Sequence, residues 1–217
     1  LPRARALAVR MGLAPLARLP PIEPVARPNP LSPFRAGLAQ RSVLISAAFF
    51  LLWLSEFFIV NWTPAILSRA GMSAAAAAEG GVMLTLGGMA GTLLVGLFAV
   101  RFALVRVCVI YLVGAFVLAI GFALAGRGAL LMPICALLGL LLFGSSVGLY
   151  AVVARIFPPQ VRASGTGVAL AFGRAGAVAG LSLGGMLIGL GWQRPVYVGM
   201  LAIPLLAAAL AALALRR

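Results

Sequence analysis

The 217-residue sequence contains no histidine, no lysine and no aspartate, and its only acidic side chains are three glutamates. Serine hydrolases and zinc enzymes need a histidine base or ligand, and lipid phosphotransferases hold Mg²⁺ through aspartates, so these enzyme classes are excluded. Cys108 and Cys135 have no second pair to complete a metal site, so they are interpreted as apolar packing residues. We therefore expect no enzyme activity, no catalytic residue, no metal and no cofactor.

Apolar residues, by contrast, make up 64% of the chain, and the mean hydropathy is +1.16. A soluble globular domain does not reach these values, so most of the chain is expected to lie in lipid. All seventeen basic residues are arginines, and they give a net charge of +14. They stand singly or in pairs between apolar stretches, so the positive charge indicates membrane topology and not a nucleic-acid partner.

Six apolar stretches are long enough to cross a hydrocarbon core of about 30 Å, which takes roughly 20 helical residues. They cover about residues 43–67, 79–100, 106–125, 129–154, 163–190 and 195–215. Each stretch is continuous and not alternating, which favours helices over barrel strands. The sequence thus predicts an all-α integral membrane domain, a six-transmembrane-helix bundle over residues 43–217. A segment rich in proline and arginine precedes it, over residues 1–42.

The arginines are distributed unevenly between the two sides that six alternating spans define. One side collects thirteen of them: Arg3, Arg5, Arg10, Arg18, Arg27, Arg35, Arg41, Arg101, Arg106, Arg155, Arg162, Arg216 and Arg217. The other side holds Arg69, Arg127 and Arg194. Because cytoplasmic loops collect arginine, we expect a multi-pass protein of the inner (plasma) membrane with both termini cytoplasmic. The segment over residues 1–42 is then a cytoplasmic extension that touches anionic lipid headgroups.

Glycines recur at four-residue spacing in two of the predicted helices. Gly87 and Gly91 lie in the second helix, and Gly176, Gly180 and Gly184 lie in the fifth. Small residues at this interval let helix backbones approach closely in lipid, so we expect dense helix packing there. Such interfaces can also slide or rock, as alternating access requires.

Only two ionisable residues lie deep within predicted spans, Glu56 in the first and Arg174 in the fifth. Counted from the cytoplasmic face they lie about 20 Å and about 16 Å deep at 1.5 Å per residue, which are comparable depths. A charge there costs at least about 2.5 kcal/mol, so each is expected to face a cavity, a partner or water. Arg174 is either an anchor for an anionic substrate or a snorkelling or ion-paired structural residue. Glu56 is a proton carrier, a partner for Arg174, or a glutamic acid buried in its neutral form.

Several segments resemble one known family. The connection Leu149–Gly167, which contains Pro158 and Pro159, resembles the loop between helices ten and eleven of the major facilitator superfamily, particularly its aromatic-acid/proton symporter branch. The segment Gly173–Ala177 looks like that branch's eleventh helix, and Asn61–Pro64 looks like the outer end of the seventh. These resemblances cover nearly the whole chain, with the basic leader similar to the family's central cytoplasmic loop.

The resemblance implies a function and a set of site residues. It implies secondary active transport of a small organic anion, such as an aromatic carboxylate, by proton symport and alternating access. The implied substrate-binding residues are Arg174, Glu56, Trp53 and Asn61. The implied gating residues, in the loops at the cytoplasmic side, are Gly96, Arg101, Arg106, Arg155 and Arg162. The partners are then the organic anion, the proton and the lipid bilayer, with no nucleic acid.

The chain departs from the family pattern at a few positions. Val100 stands where the family has an acidic residue, and Ala103 stands where it has a glycine, so an ion pair at that acid is not expected. Leu181 stands where the symporter branch commonly has a proline. The family has twelve helices, and this chain resembles helices seven to twelve. We expect an N-terminal six-helix half to be needed for a complete transporter, because one half supplies only one wall of a binding site.

Two other functions stay open at this point. One is a major facilitator transporter of another substrate, such as a sugar or an uncharged drug-like molecule. The other is a membrane fragment or assembly partner that transports nothing.

Overall fold

Six long α-helices dominate the computed structural model of the chain, which describes residues 32–34, 37–125 and 130–215. A 3-10 helix, Ser32–Phe34, precedes them, and these ranges contain no β-strand. The α-helices, in chain order, are α1 (Ala39–Arg69), α2 (Ala74–Arg101), α3 (Leu104–Leu124), α4 (Leu131–Ile156), α5 (Pro159–Gly189) and α6 (Arg194–Ala214). All six are long and apolar enough to cross a membrane, which confirms the predicted all-α, six-span membrane fold.

The connections between these helices are short and have clear local causes. Gly71 and Gly191 adopt positive φ angles of 85° and 76°, which turn the chain directly after α1 and α5. Pro158 ends α4, and Pro159 occupies the first turn of α5, where a missing backbone N–H costs nothing. Helices α1, α2 and α5 begin four or five residues before the apolar stretches from which they were predicted. A helix can continue past the hydrocarbon core into the headgroup region, so helix bounds and span bounds need not coincide.

Short connections make successive helices run in opposite directions, so the helix ends fall into two groups. Arg41, Arg101, Arg106, Arg155 and Arg162 lie at one end of the bundle, here called the basic end. A cavity of about 380 Å³ at this end is lined by Arg41 of α1, Leu104 of α3, Arg155 of α4 and Leu215 after α6, among others. Other arginines of the orientation argument lie outside the described residues: Arg3, Arg5, Arg10, Arg18, Arg27, Arg35, Arg127, Arg216 and Arg217.

Two helix pairs pack with their backbones in contact, along what we call glycine seams. On α5, a Cβ at Gly176 or Gly180 would collide with the backbone carbonyl of Phe50 or Leu54 on α1. On α2, a Cβ at Gly87 or Gly91 would collide with the backbone of α4 in the same way. The prediction of dense packing at these glycines is therefore confirmed. The seams hold α5 against α1 and α2 against α4.

The other helices complete the bundle around α1. Helix α1 contacts α2, α4, α5 and α6, whereas α3 packs mainly on α4 and α6. The Ser55 hydroxyl, fully buried on α1, donates to the carbonyl of Leu201 on α6 at 2.7 Å. Both cysteines are fully buried in the core, as a packing role requires. Helix α2 is the least buried of the six and α5 is the next, so each presents a broad outward face.

Candidate functional site

Three polar side chains from α1 and α4 form a hydrogen-bonded row inside the bundle. The Trp53 indole Nε1 donates to the Ser146 hydroxyl at 3.0 Å, and that hydroxyl donates to Glu56 Oε2 at 2.5 Å. All three side chains are buried. Trp53 and Glu56 lie almost one helical turn apart on α1, and Ser146 reaches them from α4 across 90 residues of sequence. The row therefore exists only because α1 and α4 pack together.

Arg174 of α5 completes this group from the exposed side. Its guanidinium carbon lies 5.2 Å from the centroid of the Trp53 ring, and its side chain is exposed. A cation over an indole face at this distance gains about 0.5–2 kcal/mol, depending on how far it is desolvated. The guanidinium thus has a defined position, while its hydrogen-bond donors stay accessible from outside the bundle.

The α1–α5 glycine seam explains why the indole fits between the helices. A Cβ at Gly173 would lie 2.7 Å from the Trp53 ring, so the absence of a side chain there makes room for the indole. On a helical wheel Arg174 points about 160° away from Gly176, which predicts that Arg174 faces away from the helix that the glycines contact. That prediction is wrong, because the guanidinium of Arg174 lies over the ring of Trp53, which belongs to that same helix, α1.

Aromatic rings surround Trp53 on the other sides. The ring of Phe49 lies 5.6 Å from that of Trp53 and 5.3 Å from that of Tyr150, both in edge-on arrangements. Phe57 and Tyr150 lie 5.8 Å and 6.3 Å from Trp53. Tyr150 is 39% exposed, so part of this aromatic surface is accessible. We refer to Trp53, Glu56, Ser146, Tyr150 and Arg174 together as the Trp53 cluster.

Glu56 and Arg174 differ in their exposure within this cluster. Glu56 is buried behind Ser146, whereas Arg174 is exposed over the indole. Within the described residues, no ion pair joins the two side chains. The interpretation of Glu56 as a direct salt-bridge partner of Arg174 is therefore wrong for this structure. The intervening Trp53 and Ser146 connect them instead.

Asn61, the fourth predicted substrate-binding residue, does not join the cluster. It lies on α1 beyond Glu56, and its amide nitrogen donates to the carbonyl of Phe57 on its own helix at 2.8 Å. Its side chain is exposed. The structure thus brings together Arg174, Trp53 and Glu56 but leaves Asn61 as an exposed residue bonded to its own helix.

The predicted gating residues all lie toward the basic end. Arg101 is in the last turn of α2 and Gly96 is in the same helix, where a Cβ would meet no atom within 4 Å. Arg162 of α5 donates to the carbonyl of Phe157 at 3.2 Å and so caps the end of α4. Arg155 lines the cavity at the basic end. Val100, at the position of the family's acid, is 85% exposed, so its side chain makes little contact with these arginines.

Arg106, the fifth gating residue, lines a separate apolar cavity between α2 and α3. This cavity has a volume of about 260 Å³, and its other lining residues are Phe98, Phe102, Val107, Ile110 and Tyr111. It shares no lining residue with the Trp53 cluster, and among its described lining residues Arg106 alone is charged.

At the opposite end of the bundle, Arg69 and Arg194 bond to helix carbonyls. Arg69 donates to the carbonyl of Ile188 at 2.9 Å, near the end of α5. Arg194 donates to the carbonyls of Ala123 and Ala125, at and just beyond the end of α3. Cations are favourable at helix C-termini, so both arginines stabilise helix ends.

Two members of the Trp53 cluster were not singled out from the sequence. Tyr150 was noted only as part of the segment that resembles the family, and Ser146 received no role. A signal was available, because Ser145 and Ser146 are adjacent polar residues in the middle of the apolar α4. The two serines differ in their hydrogen-bond partners, which the sequence does not show. The Ser145 hydroxyl donates to the carbonyl of Leu141 on its own helix at 2.7 Å, whereas Ser146 faces α1.

Comparisons with known proteins identify relatives. The 4-hydroxybenzoate transporter of Pseudomonas aeruginosa is 32% identical over 168 residues, which are 73% of this chain and 37% of that protein. The 3-(3-hydroxy-phenyl)propionate transporter of Escherichia coli is 33% identical over 168 residues, 73% of this chain and 40% of that protein. The gallate transporter of Pseudomonas putida is 32% identical over 180 residues, 75% of this chain and 38% of that protein. Neither a protein-family model nor a solved structure matches the chain.

These relatives confirm the family resemblance that the sequence motifs carry. All three transport aromatic acids by their names, and the chain spans less than half the length of each. That extent agrees with the six helices found here, which are half of a twelve-helix fold. The chain therefore belongs to the aromatic-acid transporters of the major facilitator type, and it fits their C-terminal half.

Proposed function

We propose that the chain is the C-terminal half of a secondary transporter that moves a small aromatic carboxylate together with a proton. The observation that carries this proposal is the position of Arg174, an exposed guanidinium stacked on Trp53. This cation is connected through Ser146 to Glu56, a buried acid in the middle of α1. An anion site next to an intramembrane acid is the arrangement that proton symport requires.

The substrate class follows from what lies around Arg174. A guanidinium binds a carboxylate through two parallel hydrogen bonds, which a lysine ammonium cannot reproduce. The partly exposed ring of Tyr150 offers an aromatic surface, with its centroid 6.3 Å from that of the indole on which this cation lies. A ligand with a carboxylate on a flat ring can use both features at once, and the relatives named above transport acids of this kind.

The proton is assigned to Glu56 because of its burial and depth. It is 5% exposed and lies near the middle of α1. A carboxylate in the middle of a membrane is costly, and intramembrane acids commonly serve as proton relays. Ser146 stabilises the ionised form by one hydrogen bond, so both protonation states have a place in the site.

Alternating access is proposed from the outward faces of α2 and α5. These two helices are the least buried of the six, which leaves them free to contact another part of the transporter. An N-terminal six-helix half would supply the opposite wall of the site, as in the twelve-helix relatives. The glycine seams fix α5 on α1 and α2 on α4, so the half moves as one body against its partner.

The orientation is proposed from the basic end, which collects Arg41, Arg101, Arg106, Arg155 and Arg162. Loops rich in arginine stay on the cytoplasmic side of the membrane. The basic end and both chain termini then face the cytoplasm. The opposite end, with Arg69 and Arg194, faces outward.

A reconstituted uptake assay tests this function. The chain is fused to the N-terminal half of the 4-hydroxybenzoate transporter of Pseudomonas putida, which is 31% identical to it over 205 residues. Proteoliposomes with an inward proton gradient are given labelled 4-hydroxybenzoate, gallate, 4-hydroxybenzamide or glucose. We expect uptake of the two acids that collapses with a protonophore. Uptake of only the neutral amide or sugar, or of none of the four, would contradict the proposed function.

A further inference from the structure

Ser146 occupies a position in the Trp53 cluster that requires one acceptor and one donor. An indole N–H can only donate, so the Ser146 oxygen must accept from Trp53. An ionised carboxylate can only accept, so the Ser146 hydrogen is committed to Glu56 while that acid is charged. A serine hydroxyl has one hydrogen and two acceptor lone pairs, so it satisfies both neighbours at once.

Protonation of Glu56 changes this arrangement. A protonated carboxyl group has a hydrogen of its own and can donate it to the second lone pair of Ser146. The Ser146 oxygen then accepts from both Trp53 and Glu56, and its own hydrogen is released. No proton leaves the Glu56–Ser146 pair in this step, because the hydrogen bond between the two oxygens only reverses its direction.

We propose that Ser146 is the residue that couples protonation to anion binding, because its hydroxyl hydrogen is released toward the carboxylate on Arg174 only when Glu56 is protonated. This proposal rests on the proposed function and names the residue that links its two sites. Trp53 contacts both Ser146 and Arg174, so the released hydroxyl and the guanidinium lie on adjoining parts of one indole. By linkage, anion binding then favours protonation of Glu56 by the same factor.

A simpler alternative is repulsion through space between ionised Glu56 and the bound carboxylate. It predicts that Ser146→Ala keeps the full coupling and only shifts the pH at which the coupling occurs, because the variant loses a hydrogen bond to the ionised form of Glu56. A titration over a range of pH therefore separates the two explanations. Ser145 is the matched control, since it is buried at the preceding position of α4 and its hydroxyl donates to the carbonyl of Leu141 on its own helix.

The groups around this part of α1 make a pH experiment interpretable. Helix α4 presents Tyr150, α5 presents Arg174, and α6 presents Tyr197, which faces Phe58. The two charged residues of α2, Glu79 and Arg101, are both exposed. Tyrosine and arginine do not ordinarily titrate between pH 5 and pH 8. A change in Trp53 emission over this range therefore reports the protonation of Glu56.

The experiment measures the affinity for 4-hydroxybenzoate at several pH values from 5.5 to 8.0 by Trp53 emission. It uses the fusion of the chain to the N-terminal half of the relative, reconstituted in nanodiscs. All tryptophans except Trp53 are replaced by phenylalanine. We expect binding about tenfold tighter at pH 5.5, the factor given by one hydrogen bond to a charged group. Ser146→Ala should lose most of this pH dependence, whereas Ser145→Ala and Ser146→Thr should keep it. A pH dependence of the same size in Ser146→Ala, even if it is displaced along the pH scale, would overturn the proposal and favour repulsion through space.

A second readout separates this proposal from the proposed function. Without ligand, reversal of the hydrogen bond at Ser146 changes the environment of the Trp53 N–H, so its emission should shift with pH. The shift should disappear in Glu56→Gln and in Ser146→Ala. If the fusion binds no 4-hydroxybenzoate but keeps this shift, the transport function is wrong and the Ser146 connection stands. If the Trp53 emission of the fusion without these two substitutions does not change with pH, Ser146 does not have the coupling role.

Discussion

The guanidinium carbon of Arg174 lies 5.2 Å from the centroid of the Trp53 ring, and this contact joins α5 to α1 at the exposed edge of the bundle. The same indole donates a hydrogen bond through its Nε1 to Ser146, which in turn donates to Glu56. One side chain therefore touches both the exposed cation and the residue that holds the buried acid.

Arg174→Lys should weaken recognition of an aromatic carboxylate while leaving a positive charge in place. Lysine loses both the two-pronged contact with the carboxylate and the flat stacking on Trp53, so we expect about a tenfold rise in KM for 4-hydroxybenzoate. Uptake kinetics in proteoliposomes measure this change. Inhibition by neutral 4-hydroxybenzamide is the control and should stay the same. An unchanged KM for the acid would show that Arg174 does not anchor the substrate.

Glu56→Gln should uncouple transport from the proton gradient. Glutamine keeps an oxygen that accepts from Ser146 but carries no exchangeable charge, so the cluster can retain its packing. We expect uptake driven by a pH gradient to fall to the level seen without one, while exchange of labelled for unlabelled substrate continues. On the same liposomes, counterflow measures the exchange of substrate, and gradient-driven uptake measures the coupling to protons. Gradient-driven uptake at the parental rate would exclude Glu56 as the coupling site.

Gly180→Ala should destabilise the bundle, because a Cβ there collides with the backbone carbonyl of Leu54 on α1. Overpacking of this kind costs about 1–3 kcal/mol. Gly167→Ala on the same helix is the matched control, since a Cβ there meets no atom within 4 Å. The buried thiols of Cys108 and Cys135 provide the measurement, because a thiol-reactive dye reports their exposure on heating. Equal melting temperatures for the two variants would contradict the close contact of α1 with α5.

The proposed orientation predicts opposite labelling of two glutamine positions. Gln193 lies in the connection between α5 and α6, Gln160 lies in the first turn of α5 near the basic end, and both are exposed. In a background without Cys108 and Cys135, Gln193→Cys should react with an impermeant maleimide on intact cells. Gln160→Cys should react only after the membrane is permeabilised. The reverse pattern would place the basic end outside.

The helices and two of the site residues were accessible from the sequence because membrane physics leaves few alternatives. Apolar stretches of about 20 residues must form helices in lipid, and ionisable residues within them are so costly that Glu56 and Arg174 stood out at once. The four-residue glycine spacing likewise indicated the seams, since small residues at that interval have few other uses in a membrane helix.

The rest of the cluster depends on contacts between helices that lie far apart in sequence. Serine is common in membrane helices and usually bonds to its own backbone, as Ser145 does. That Ser146 instead meets Trp53 and Glu56 follows from the packing of α4 on α1, which the sequence pattern does not specify. The direction of Arg174 was misjudged for a related reason. A helical wheel gives the direction of the Cα–Cβ bond, but a long arginine and a large indole meet well beyond it.

The arginine pairs of the basic end also bear on how such a chain is made. Arg101 and Arg106 flank the short connection between α2 and α3, and Arg155 and Arg162 flank the one between α4 and α5. If the basic end is cytoplasmic, each pair of helices that leaves the ribosome is followed by its own signal against translocation. The arginines in the loops of this half then determine its topology, independently of helices inserted earlier. Two halves synthesised as separate chains would each enter the bilayer the right way round and could assemble there.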